Sequence, residues 1–168
     1  MSEYIPSTRN LNWIIGFGCM FLIGVALYME HMMHLEPCPL CIFQRVAVIT
    51  AGLIAIVAAL HNPQRLGIKV YSLMVVMAST VGGALAIRQL HLQSLPEDQV
   101  PSCGPGLDYL LDVFPMQDVI QMVLVGDGSC AEVAWSLLGI SIPGWALVGF
   151  IGVVTLGLFQ AFRHSEHQ

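Results

Sequence analysis

Charge is what this chain has least of. Among its 168 residues six are Lys or Arg and eleven are Asp or Glu, a charged share of 10%. Soluble domains carry roughly 25%, so a surface facing water on every side is excluded. No internal repeat and no low-complexity tract is visible, and no soluble domain is expected in the short tails 1–10 and 163–168. The first apolar run also lacks a small-x-small cleavage site, since it leads into Tyr28-Met29-Glu30-His31. It exceeds the roughly 7–15 apolar residues of a signal-peptide core, so an uncleaved first span is expected.

What the chain has instead is apolar length. The hydrophobic share is 56% and the mean hydropathy +0.74. Residues 11–29, 46–60, 70–87 and 142–162 contain no charged side chain. Crossing a bilayer takes about 20 apolar residues, which the second run reaches if it begins near Cys41. Backbone groups in lipid must be satisfied within the segment, so such runs are helices. The expected fold is an all-α integral membrane protein, one four-transmembrane-helix bundle over residues 1–168. Its spans lie near 11–29, 41–60, 70–88 and 142–162, and its outer loops at 30–40 and 89–141.

Four spans put both termini and the middle loop on one side. That side carries Arg9, Arg65, Lys69 and Arg163, so by the positive-inside rule it is cytoplasmic. Cys38, Cys41, Cys103 and Cys130 then share the opposite, oxidising face, where disulfides persist. Cys19, midway along the first span, reads as a small buried hydrophobe.

The stretch "HLEPCPLCIFQR" is the chemical centre of the sequence. A single Cys-x-x-Cys can be half a metal site, a structural staple or a redox pair. Proline favours the first helical position, which makes Cys38 the N-cap and sets Cys41 in the first turn. Negative charge is stabilised there, and Arg45 lies one turn deeper on the same face. Both features favour a reactive thiolate. Arg45 at the membrane edge needs a partner, either a lipid phosphate or a functional anion. Met29, His31, Met32, Met33 and His34 would suit Zn or Cu(I), but Cys103 and Cys130 are too far apart to form a second knuckle. No metal site is therefore expected.

The second outer loop divides in two. "SLPEDQVPSCGPGLDYL" packs turn residues around Cys103, which favours a mobile, exposed backbone. "DVFPMQDVIQMVLVG" sets Val113, Met116, Val119, Ile120 and Val123 at helical spacing. That helix would lie in the membrane interface or pack on the top of the bundle. An Asp-Gly turn in "GDGSC" precedes Cys130. The loop is too small to hold a core of its own.

"PCPLCIFQR", the second-loop Cys103 and "GDGSCAEVAWSLLGISIPGW" together resemble the DsbB family, the quinone-linked disulfide-bond formation proteins of bacterial inner membranes. The resemblance covers nearly the whole chain. It implies that Cys103 and Cys130 form one disulfide and Cys38 and Cys41 another. A reduced periplasmic thioredoxin-fold partner, DsbA-like, would attack Cys103. The electrons would pass through Cys130 to the Cys38–Cys41 pair and on to a membrane quinone, ubiquinone being the expected one. Arg45 would stabilise the Cys41 thiolate and the quinone, and Gln93 matches a family glutamine near the quinone. The family often has a histidine where this chain has Gln89, with His91 two residues on. The resemblance also places the protein in the inner membrane, with its cysteine loops periplasmic and its contacts made to lipid, quinone and the partner. No nucleic-acid partner is expected. The other readings are a metal-binding membrane protein and a structural one stapled by two disulfides.

Overall fold

The computed structural model describes residues 7–102, 107–126 and 128–163. Cys103 and the Asp127 of the expected Asp-Gly turn lie outside the described residues. Among these, four helices are long and apolar enough to cross a membrane: α1 (Thr8–Met33), α2 (Pro39–His61), α3 (Arg65–Gln93) and α7 (Ile142–Arg163). Between α3 and α7 come a 3₁₀ turn (Glu97–Gln99), three short helices and a hairpin. The helices are α4 (Leu107–Val113), α5 (Met116–Val125) and α6 (Gly128–Ala131). The hairpin pairs β1 (Ser136–Leu137) with β2 (Ile140–Ser141).

The long helices begin and end at local signals. Ser7 caps α1 by accepting from the Asn10 amide at 3.3 Å. α1 and α2 close on His34 and Asn62 in the left-handed conformation, a common helix stop. α1 continues to Met33 and α3 to Gln93, past the ends of their apolar runs. Glu30 and Gln89, both expected at the loop boundary, are therefore helical.

Consecutive long helices pack antiparallel, α1 on α2, α2 on α3 and α3 on α7. Between lipid-soaked helices the attraction is close packing, and small residues make it possible. The central core accordingly gathers Ala47, Ala51, Ala55 and Cys19 with Ile15, Val48, Val75 and Phe150. A side chain at Gly52 would meet Cys19 Cβ at 2.8 Å, and one at Gly16 would meet Ile56 Cγ1 at 2.7 Å. Cys19 is thus a small packing residue at the α1–α2 crossing. The outward faces are equally apolar, with Phe17, Met20 and Phe21 exposed, as helices surrounded by lipid require.

The second outer loop differs from its sequence reading in the hairpin and in its helices. Its apolar pattern belongs to two helices, because Pro115 cannot continue α4 and opens α5 instead. Val119 and Val123 alone of the five spaced residues turn inward, while Val113, Met116 and Ile120 stay exposed. Among the described residues, the loop shares its core with the bundle end. Leu110, Val119, Val123 and Cys130 pack there on Cys38, Leu40 and Leu92.

A side chain at Gly82 would collide with the Phe150 ring, whereas Gly152 has open space around it. Gly82→Val should therefore cost about 1–3 kcal/mol by forcing α3 and α7 apart. Gly152→Ala should leave the thermal midpoint in detergent unchanged.

Candidate functional site

The site is built at the head of α2. Pro39 occupies the start of the helix and Cys38 is the N-cap, in an extended conformation with no capping hydrogen bond from its side chain. The Cys38 sulfur is therefore available to other groups. It donates to Cys41 Sγ across 3.0 Å, about 1 Å longer than the roughly 2.05 Å of a disulfide. A small side-chain rotation separates the dithiol from the bonded pair.

α3 supplies the group that holds the two sulfurs. Gln89, buried to 3% exposure, points its amide nitrogen at Cys38 Sγ and Cys41 Sγ, 3.3 Å from each. Its oxygen accepts from Gln44 Nε2 at 2.7 Å. Gln44 sits one turn below Cys41, so two glutamines and two cysteines form one polar cluster in an apolar wall. An N–H donor shared by two sulfurs stabilises negative charge developing on either one.

The third sulfur comes from the loop. Cys130, in α6 and buried, makes a hydrogen-bonding contact with Cys38. That contact, the hydrogen bond with Cys41 and burial together hold the Cys38 thiol well above the usual cysteine range. Cys38 is thus the sulfur that both others touch.

Arg45 finds its partner within the protein. Its guanidinium pairs with Glu30 in the last turns of α1 and donates to the Ala26 carbonyl at 3.4 Å. Both side chains are about one quarter to one third exposed, 23% for Arg45 and 31% for Glu30. Arg45, Glu30, Cys41, Gln44 and Gln89 border a cavity of about 430 Å³ that opens between α1, α2 and the start of α7. Its other walls are mostly apolar and include Phe21, Val25, Trp135 and Trp145. Small-molecule sites have this character, a volume of about 300–1,000 Å³ and a few polar groups in an apolar lining.

Gln93 also borders the cavity, but its amide is engaged with the loop. Its oxygen accepts from Ser141 Oγ at 2.8 Å and its nitrogen donates to the Glu132 carbonyl at 3.4 Å. His91 is exposed. The α3 residue that reaches the cysteines is therefore Gln89. Among the described residues no three His, Cys, Asp or Glu side chains converge as a metal site would need.

The chain is similar along most of its length to a known set of proteins. The family model for disulfide bond formation protein DsbB matches residues 8–160. Disulfide bond formation protein B of Hahella chejuensis is 54% identical over 160 residues, 95% of this chain and 97% of its own. That of Saccharophagus degradans is 47% identical over 161 residues, 96% of this chain and 97% of its own. Disulfide bond formation protein B 1 of Pseudomonas aeruginosa is 40% identical, covering 96% and 99%.

The chain belongs to the DsbB family.

It is thus a multi-pass membrane protein of disulfide bond formation, with the role of a thiol–disulfide oxidoreductase. Two contacts of this DsbB-family site escaped the sequence reading: Gln89 with both cysteines and Glu30 with Arg45. Both had a signal, because a polar side chain within or beside a span is costly without a partner. Nothing in spacing or composition brings Cys130 to Cys38; the family resemblance alone implied an exchange between Cys130 and the Cys38–Cys41 pair.

If Glu30 and Arg45 neutralise each other, losing one partner is worse than losing both. Glu30→Leu and Arg45→Met should each lower the melting temperature in detergent more than the double variant does. Additive losses would show that the two charges act independently.

Proposed function

We propose that this protein reoxidises a periplasmic, DsbA-like thioredoxin-fold dithiol and delivers the electrons to a membrane quinone through two cysteine pairs. The observation that carries this reading is the position of Cys38 and Cys41. Their sulfurs lie 3.0 Å apart between Cys130 on the loop side and an apolar cavity on the membrane side. The DsbA–DsbB–quinone chain is the known bacterial instance of such a relay.

The exchange steps follow from thiolate attack on a disulfide. A partner thiolate attacks Cys103, forming a mixed disulfide and releasing the Cys130 thiolate. The partner's second thiolate resolves the mixed bond, leaves as a disulfide and frees Cys103. The Cys130 thiolate attacks Cys38 of the Cys38–Cys41 disulfide and expels Cys41 as the thiolate. Cys103 then attacks Cys130, restoring their bond and releasing Cys38. Two electrons have moved from the partner to the Cys38–Cys41 pair. The contact between Cys130 and Cys38 supports this order. So does a cleft in which Cys130 is joined by Pro101 and Ser102, the residues leading to Cys103.

The cavity beside Cys41 fits a quinone. Its aromatic and aliphatic walls match a ring and an isoprenoid tail, and Arg45 with the glutamines provides its polar end. A bound quinone would supply an acceptor for two electrons and two protons. Toward it the Gln89 N–H holds the Cys41 sulfur, and Arg45 balances negative charge at the cavity wall. Ubiquinone is the expected quinone. By the positive-inside bias of Arg9, Arg65, Lys69 and Arg163, both termini lie in the cytoplasm and the cysteine loops in the periplasm of the inner membrane.

Purified protein supplied with ubiquinone should oxidise a reduced thioredoxin-fold dithiol. Replacing any one of Cys38, Cys41, Cys103 and Cys130 by Ser should abolish turnover. Full turnover in Cys38→Ser or Cys41→Ser would overturn the route. Arg45→Ala should raise the quinone concentration for half-maximal rate about tenfold, the effect of losing one charge-assisted contact. An unchanged requirement would leave Arg45 outside the quinone site.

A further inference from the structure

Arg88 takes no part in the steps above, yet its guanidinium makes one of the most specific contacts in the molecule. From α3 its Nε donates to the Leu124 carbonyl and its terminal nitrogen to the Val125 carbonyl, each at 3.0 Å. Leu124 and Val125 are the last two residues of α5. Their carbonyls belong to the helix end that has no internal donors and carries the negative pole of the dipole. A planar guanidinium with two parallel N–H bonds fixes position and direction together, which an ammonium cannot do.

A second contact reinforces the clamp. Gly126 follows α5 with φ +80, and any side chain there would run into Leu92, one turn beyond Arg88 on α3. Only a glycine turned in this way lets the chain leave α5 flush against α3. The chain then enters α6, which presents Cys130 to Cys38. Next to Arg88, Gln89 holds Cys38 and Cys41 from the same helix. α3 thus grips the end of the loop segment leading into Cys130 with one residue and the receiving cysteines with its neighbour.

We propose that Arg88 is a positioning residue for exchange between Cys130 and Cys38, setting how often the two sulfurs meet by clamping the C-terminus of α5. The proposal rests on reading Cys130 and Cys38 as exchange partners. It deepens that reading by assigning control of the transfer to a residue that touches no sulfur.

The test uses full-length protein carrying Cys19→Ala, Cys41→Ser and Cys103→Ser, so that only Cys38 and Cys130 remain. With diamide as oxidant, the two thiols give up two electrons and two protons as their sulfur–sulfur bond forms. The diamide becomes the hydrazine. Bond formation is followed by peptide mass under non-reducing conditions. Arg88→Gln should slow closure about tenfold, the scale of effect expected from a misplaced reacting group. Arg88→Lys, with charge but no fork, should fall between the two. The control is closure of Cys38 with Cys41 in protein carrying Cys19→Ala, Cys103→Ser and Cys130→Ser, which Arg88→Gln should leave unchanged. An unaltered Cys38–Cys130 rate overturns the proposal. An equal slowing of both closures also overturns it, since Arg88 would then support the fold alone. Neither measurement involves a quinone, so a failure of quinone-dependent turnover would bear on the proposed function and leave the Arg88 result standing.

Discussion

The amide of Gln89 is the interaction on which the site depends. A buried amide without partners costs several kcal/mol in an apolar medium, about 4–8 on the harshest scale. Here, among the described residues, the groups that satisfy it are the two sulfurs of α2 and the Gln44 side chain. The cost of leaving it unpaired therefore enforces the register of α3 against α2. It also keeps the sulfurs of Cys38 and Cys41 turned toward each other, 3.0 Å apart. In the proposed relay this pair cycles between two redox states, which calls for a holder that accepts both. An N–H aimed between two sulfurs meets that requirement, because it serves a thiol, a thiolate or a disulfide without moving.

Charge is handled by the same logic of prepaid partners. Arg45 reads from the sequence as a cation at the membrane edge waiting for an anion, and the structure gives it Glu30. The pair is close to neutral, so it can sit at the rim of an apolar cavity at low cost. It can also share its positive end when negative charge appears nearby. Glu30 was hidden from the sequence because the apolar run ends at Met29, where a span is expected to stop. The helix nonetheless continues to Met33, bringing the carboxylate onto the face that meets α2. A helix end fixed by a left-handed cap residue obeys backbone geometry, and hydropathy does not report it.

The four long helices were legible because their signal is local: length without charge, under a solvent that permits only helices. The first turn of α2 was legible for a similar reason, since Pro39 fixes where the helix starts and spacing fixes Cys41 and Arg45. The loop between α3 and α7 was not. Pro115 divides an apolar pattern that looks continuous, and the side of α5 that turns inward depends on Leu92 and Leu40, distant in sequence. The hairpin was equally hidden. It turns on Leu138 and Gly139, both at positive φ, and is tied to α7 by the Trp145 indole donating to the Leu137 carbonyl. Cys130 could be assigned to the same end of the bundle as Cys38 by counting spans, but which sulfur it touches is set by tertiary packing.

The division between rigid and adjustable parts follows the chemistry. Cys38 and Cys41 sit on helices locked by small-residue crossings, where Gly16, Gly52 and Gly82 let neighbours approach too closely to slide. Cys130 sits on one short helical turn, held to the bundle end by a modest apolar cluster and by the segment that Arg88 grips. In the proposed relay the Cys130 sulfur bonds to one partner, releases it and bonds to another, so it cannot be fixed as firmly as its receivers. It must still return to the same place each time. Concentrating the directional contacts at the end of α5, a few residues before Cys130, meets both demands. On that proposal the Arg88 anchor sets the point to which the Cys130 sulfur returns.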